Sequence, residues 1–303
     1  MTEQEPQAPR IMKPEVRKQI EAAKSSTVLI EGLKYLGNLT ELNLSGVDKE
    51  LQPQLTRLFE CTQERIILGG RDRHLPGLIK DFFLNQPSAT EWVTDTDAKH
   101  TVASFDYLTE IANGETFNLG ERKIVLSAMI VHDCAYPEVE DYRGARVQHM
   151  VDGENEFRNF AQQINAEFPD FYSNDEIEII CSIVRQHDNP SVKKDGQRLQ
   201  FSYDPPPAKL LWAHREADRL WMLDRGGFTL DLIRRALEDN PTYDPSEYLK
   251  YVVSRHLTEA KNYQDNESCL LYHGQKSLYR TRTGFEIFQR LIMERAEEYG
   301  VNI

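Results

Sequence analysis

The segment Ile124-Val-Leu-Ser-Ala-Met-Ile-Val131 carries a single side-chain hydroxyl and ends in His132-Asp133. A stretch that apolar belongs in an interior, where an ionised carboxylate without a compensating group is costly. Any fold this chain adopts must therefore bring a partner to Asp133. The segment is far short of the ~18 apolar residues that a membrane span takes. Gly120 and Pro137 bracket it at the length of an ordinary helix. A buried helix that ends in an acid is the constraint from which the rest of the reading follows.

Elsewhere the chain shows many helix signals and few strand signals. Short helices broken by Gly32, Gly37 and Gly46 are expected over Ile11–Phe59, after a polar, proline-bearing tail. Within them, LKYLGNLTELNLSG has the spacing of a leucine-rich repeat. One repeat cannot bury its own face, so a helix-turn segment packed on the main body is expected there. Further helices are expected over Leu75–Phe83, from the cap TDTDAKH to about Ala112, over Glu121–Asp133 and over Ala145–Ile164. Another is capped by Ser173 or Asn174 and stopped by Pro190, and one covers Ala208–Leu223. Three more follow at about Thr229–Glu238, Ser246–Tyr263 and Gly284–Tyr299. The reading is an all-α bundle, with residues 1–70 as a tail and short helices and residues 71–303 as the main helical domain with a C-terminal extension. No phosphate-binding glycine loop or nucleophile elbow occurs.

The net charge of -13 disfavours a nucleic-acid polymer as partner, since that binding needs cationic side chains against phosphates. Cys61, Cys134, Cys181 and Cys269 form no C-x-x-C pair, which argues against a thiolate zinc site or a disulfide framework. The N-terminus lacks a signal peptide's apolar core. A soluble, cytoplasmic protein with no membrane partner is expected.

Eight histidines are few enough to place individually. His132 shares a face with Val125, Ala128 and Met129; His187 repeats the arrangement with Ile180, Ile183 and Val184, and Asp188 follows it. His100 begins a face continued by Ala103, Tyr107 and Ile111. On AKLLWAHREADRLWML, Arg215, Glu216 and Arg219 are expected to form the wet side, while Asp218 shares a stripe with Leu211, His214 and Trp221. His256 and His273 read as surface residues. Two aspartates and several histidines on separate apolar faces are most economically joined by a metal ion, for which imidazole and carboxylate are suitable donors.

The order His100, His132-Asp133, Asp218 resembles the HD-domain metal-dependent phosphohydrolase superfamily. DAKHTVASFDYL is similar to that family's first-histidine helix, MIVHDCAYP to its doublet and EADRLWML to its closing aspartate helix. The likeness covers about Arg71–Leu223. It implies an HD-type helical bundle with His100, His132, Asp133 and Asp218 as metal ligands. His149 and His187 stand where two-metal relatives place two more ligands, although the helix around His149 reads polar and carries Gly153 one turn on. His74 competes with His100 for the first position.

The resemblance further implies a phosphoric ester hydrolase acting on a nucleotide or other small phosphorylated substrate. It would hold one or two divalent ions (Mn, Fe, Co, Ni, Zn or Mg), with Asp133 orienting the attacking water and Arg143 and Arg146 near the phosphate. Where relatives carry a lysine or glutamate after the doublet, this chain has Tyr136, and its nearest carboxylate is Glu138. Two alternatives stay open at this stage: a metal- or nucleotide-binding regulatory module that has lost turnover, and a di-iron oxygenase.

Overall fold

The computed structural model describes residues 26–69, 92–93, 96–135, 142–188, 193–194, 197–198, 207–237, 244–259 and 268–302. Side chains are not described at 64–69, 142–147, 193–194, 197–198 and 236–237. The fold is all-α. Among the described residues it has ten helices: α1 (Thr27–Gly37), α2 (Gln52–Gly69), α3 (Thr96–Gly114), α4 (Leu119–Val131), α5 (Tyr142–Glu167), α6 (Asn174–Gln186), α7 (Ala208–Leu220), α8 (Arg225–Leu237), α9 (Pro245–Glu259) and α10 (Arg282–Tyr299). Two short antiparallel ribbons accompany them, β1 (Lys193–Lys194) with β2 (Gln197–Arg198), and β3 (Leu271–Tyr272) with β4 (Gln275–Lys276). No described helix is long and apolar enough to cross a membrane.

Helix α4 is the axis of the bundle. Every residue from Ile124 to Val131 is buried, and α2, α3, α6 and α7 pack around it. A helical stretch enclosed on all sides has no wet face to keep polar, so from Ile124 onward its sequence is apolar but for Ser127. Its start, Leu119, lies two residues before the expected Glu121, because Asn118 caps it. The Asn118 side chain accepts from Glu121 N at 3.0 Å, and the Glu121 carboxylate accepts from Asn118 N at 2.9 Å. Ser173 and Glu176 form the same reciprocal cap on α6.

The N-terminal segment joins the same core. Leu29, Leu33, Leu55 and Leu58 are fully buried in one hydrophobic cluster with Val125, Leu220 and Phe228. α1 lies on α8, while α2 lies on α4 and α5. At the crossing of α1 and α8, a Cβ on Gly32 would fall 2.1 Å from Thr229 Oγ1, so only glycine admits this approach.

Two expectations are corrected here. Arg215, Glu216 and Arg219 do not form a wet side: Arg215 and Glu216 are buried and the Arg219 side chain is 14% exposed. The far face of α7 is covered by α10, the Arg280–Thr281 loop and Glu259 of α9, so α7 is enclosed on both faces. His256 is likewise no surface residue. It is 1% exposed, its Nδ1 lies 2.7 Å from Tyr279 Oη, and its ring stacks on Tyr279 and Phe288. Burial lowers its pKa to about 3, leaving a neutral imidazole that ties α9 to the start of α10. His74, the Leu75–Phe83 helix, Tyr136, Glu138 and Pro190 lie outside the described residues. Arg143 and Arg146 are described only as backbone in the first turns of α5.

Candidate metal centre

Five helices deliver one buried cluster. His100 comes from the first turns of α3, His132 caps the C-terminus of α4, and Asp133 follows it. His149 projects from α5, His187 caps the C-terminus of α6, and Asp218 lies near the end of α7. All six are at most 6% exposed. They fall into two groups of three whose donor atoms lie within 4.8 Å of one another: His100, His132 and Asp218, and Asp133, His149 and His187.

Asp133 serves both groups. Its Oδ2 lies 3.3 Å from His100 Nδ1 and 3.6 Å from His132 Nε2. Its Oδ1 lies 3.4 Å from His149 Nε2 and 3.6 Å from His187 Nε2. Asp218 Oδ1 lies 3.0 Å from His100 Nε2 and 3.5 Å from His132 Nε2, and the two Nε2 atoms of His149 and His187 are 3.3 Å apart. Several of these separations are too long for hydrogen bonds. Four of the seven fall within the ~3.0–3.4 Å between donors that share one ion at bond lengths of about 2.1 Å, and the other three are 3.5–3.6 Å. Both His100 nitrogens and His132 Nε2 are buried without a well-formed hydrogen bond.

The backbone fixes which nitrogen faces inward. His132 Nδ1 lies 2.7 Å from Met129 O, and His187 Nδ1 lies 2.7 Å from Val184 O. A carbonyl only accepts, so each Nδ1 carries the proton and each Nε2 presents its lone pair to the cluster. Both rings also sit at helix C-termini, where the backbone dipole favours positive charge.

The electrostatics ask for a cation. Burial pushes the His100 imidazole towards neutrality, but Asp133 and Asp218 outweigh it and raise its pKa to about 9. His187 is raised in the same way, chiefly by Asp133 against burial. Asp218, which burial alone would raise, is held well below the carboxylate range by Arg219, His100 and His132. The carboxylates thus draw a proton onto His100 at neutral pH and favour one on His187. A metal ion would take the place of such a proton, and the donor chemistry fits one ion in each group.

Supporting residues fix the geometry. A Cβ on Gly153 would sit 3.2 Å from Val184 Cγ1 and 3.6 Å from His132 O, so α5 runs close against α6 and the end of α4. That approach carries His149, one turn away, into the cluster. Trp221 backs His100 with ring centroids 5.3 Å apart. Gly227 lets the chain press on that indole, since a Cβ there would lie 2.6 Å from Trp221 Cδ2. His214 packs edge-on to His132 at 5.2 Å and near His187 at 5.8 Å. Burial and those two histidines lower its pKa well below the usual value, so it is a neutral wedge between the groups.

The structure brings together all six ligands expected from the sequence. It adds Arg219, whose partners Asp188 and Glu259 are too distant in sequence to have signalled the contact. Fold and site together define an all-helical protein whose buried His/Asp groups can hold metal. Compared with protein-family models, curated proteins and solved structures, the chain matches none.

Proposed function

We propose that the protein is a metal-dependent phosphohydrolase of the HD-domain type, acting on a nucleotide or other small phosphoester. One observation carries this reading: Asp133 offers one oxygen to each of two three-donor groups. That arrangement suits two ions side by side, the clamp that two-metal sites use in an in-line phosphoryl displacement. The order of the six residues along the chain supports it by its likeness to that superfamily.

His100, His132 and Asp218 would hold one ion, and His149 and His187 the other, with Asp133 shared. A divalent ion in such a site supplies Lewis acidity, lowering the pKa of water to ~7 and polarising a phosphoryl oxygen. The protein's part is orientation and charge. His132 and His187 keep their Nδ1 protons on Met129 O and Val184 O, so their Nε2 atoms stay aimed at the cluster. Four neutral imidazoles and two carboxylates leave two divalent charges under-neutralised, so the donor set itself favours an anionic substrate over a cationic one. Arg143 and Arg146, in the first turns of the helix that carries His149, are the sequence candidates for neutralising the phosphate.

The test is a phosphate-release screen of the full chain with added Mn²⁺, Co²⁺, Ni²⁺ or Mg²⁺. Substrates should span nucleoside monophosphates, triphosphates, cyclic nucleotides and non-nucleotide phosphates. Metal-dependent release, abolished by Asp133→Ala, is the expected result. A metal-loaded protein silent on the whole panel would point to a binding module instead. Colour and oxygen uptake with iron would point to oxygen chemistry.

A further inference from the structure

Arg219 stands one residue past Asp218 on α7, and its guanidinium meets three carboxylates. It donates from Nη1 to Asp218 Oδ2 at 3.1 Å, from Nη2 to Asp188 Oδ1 at 2.5 Å and from Nε to Glu259 Oε2 at 2.9 Å. Asp218 belongs to the His100–His132 group. Asp188 is the residue after His187, a donor of the other group. One side chain therefore grips a ligand of the first group and the backbone segment that carries a ligand of the second.

The third contact makes this brace a fixed one. Glu259, at the end of α9, bonds Arg219 and Arg255 (Nη2 to Oε1, 2.6 Å). Two guanidiniums against three carboxylates leave these five groups with one net negative charge, the charge that Asp218 brings to the cluster. With Oδ2 held by Arg219, Asp218 turns Oδ1 towards His100 and His132. Three donors aimed in one plane at three acids require the rigid fork of arginine; a lysine ammonium can replace the charge but not the directions.

We propose that Arg219 is a positioning residue that sets the affinity of both metal groups together, anchored by Glu259, so that α9 belongs to the metal-binding apparatus. The proposal rests on the reading that the two groups hold ions. Arg219 touches neither substrate nor ion in this role; it acts through Asp218 and through the Gln186–Asp188 end of α6. Arg215 strengthens that end from the same helix, donating to Gln186 O at 2.6 Å and His187 O at 3.3 Å.

The experiment titrates full-length wild type, Arg219→Lys and Glu259→Gln with Co²⁺ against a competing chelator, read by visible absorption and elemental analysis. Thermal unfolding of each metal-free protein runs beside it. Removing an outer partner of a metal ligand typically weakens binding ~10–100-fold. Arg219→Lys should show a loss of that order at both ions, with altered Co²⁺ bands. Glu259→Gln, which removes no bond to a ligand, should move affinity and spectrum the same way by a smaller factor while its metal-free melting stays near wild type. If Arg219→Lys does not fold, Glu259→Gln alone decides. Wild-type affinity and spectrum in either folded variant would overturn the proposal, as would a loss confined to one ion. A wild-type chain that takes up no Co²⁺ would sink the metal reading itself, before any variant is compared.

Discussion

Asp133 and Glu216 are both buried in this protein and resolve their charges in opposite ways. Glu216 is fully buried, yet the protein itself supplies its donors: Arg280 N at 2.6 Å, Thr281 N at 3.1 Å and Thr281 Oγ1 at 2.5 Å. Asp224 is satisfied similarly. Its Oδ1 accepts from Gly226 N at 2.8 Å and its Oδ2 from Tyr107 Oη at 2.8 Å and Tyr35 Oη at 3.1 Å. Asp133 and Asp218 instead meet imidazole nitrogens from four histidines, at 3.0 to 3.6 Å, with Arg219 holding the other oxygen of Asp218. Burial of an acid therefore does not mark chemistry; the kind of partner does. Backbone N–H and hydroxyl donors mark architecture, whereas convergent imidazoles mark a cation site.

The sharpest way to break this contrast is to truncate an acid of each kind. Asp133→Ala should abolish metal binding and any hydrolase activity, by elemental analysis and phosphate release, while the helical circular dichroism survives. Were Asp133 merely half of a buried ion pair, the same change would cost ~3–5 kcal/mol of stability. Asp224→Ala should behave in the opposite manner. It strands two tyrosine hydroxyls and the Gly226 amide, so urea unfolding should show a loss of about 3 kcal/mol. Its metal content should match wild type. Metal loss in folded Asp224→Ala, or unchanged metal in folded Asp133→Ala, would erase the distinction.

Glu216 sharpens the comparison through pH. Burial raises its pKa to about 7, against the opposing bonds from Thr281 and Arg280. The folded state then holds the proton more tightly than the unfolded chain. Its stabilising contribution is present below the unfolded pKa near 4.5 and is lost as pH rises through about 7. Between pH 5 and 7 that is about 2 kcal/mol. Glu216→Gln should remove this slope in metal-free protein, and an unchanged profile would show the carboxyl to be ionised throughout. Metal binding should follow the reverse course, strengthening as pH rises and His100 and His187 lose their protons.

The sequence disclosed the cluster better than its surroundings, for a physical reason. His100, His132, His187 and Asp218 each interrupt an apolar helical face, and that local mismatch is legible without tertiary knowledge. His149 is harder, because α5 is polar and Gly153 looks like a weakness. In the fold Gly153 is the close-approach point that admits the helix to the site. Arg215, Glu216 and Arg219 were unreadable as buried groups, since the elements that cover them, α9 and α10, lie far along the chain. His256 is hidden by the same layer. Periodicity reports what one helix offers; it does not report what later helices bring to its other side.

The central claim is that Asp133 is shared between two three-donor groups. Elemental analysis of wild-type protein saturated with a divalent ion and freed of loosely held metal tests it most directly. The account predicts two ions per chain. Saturation at one ion, or at none, would contradict it.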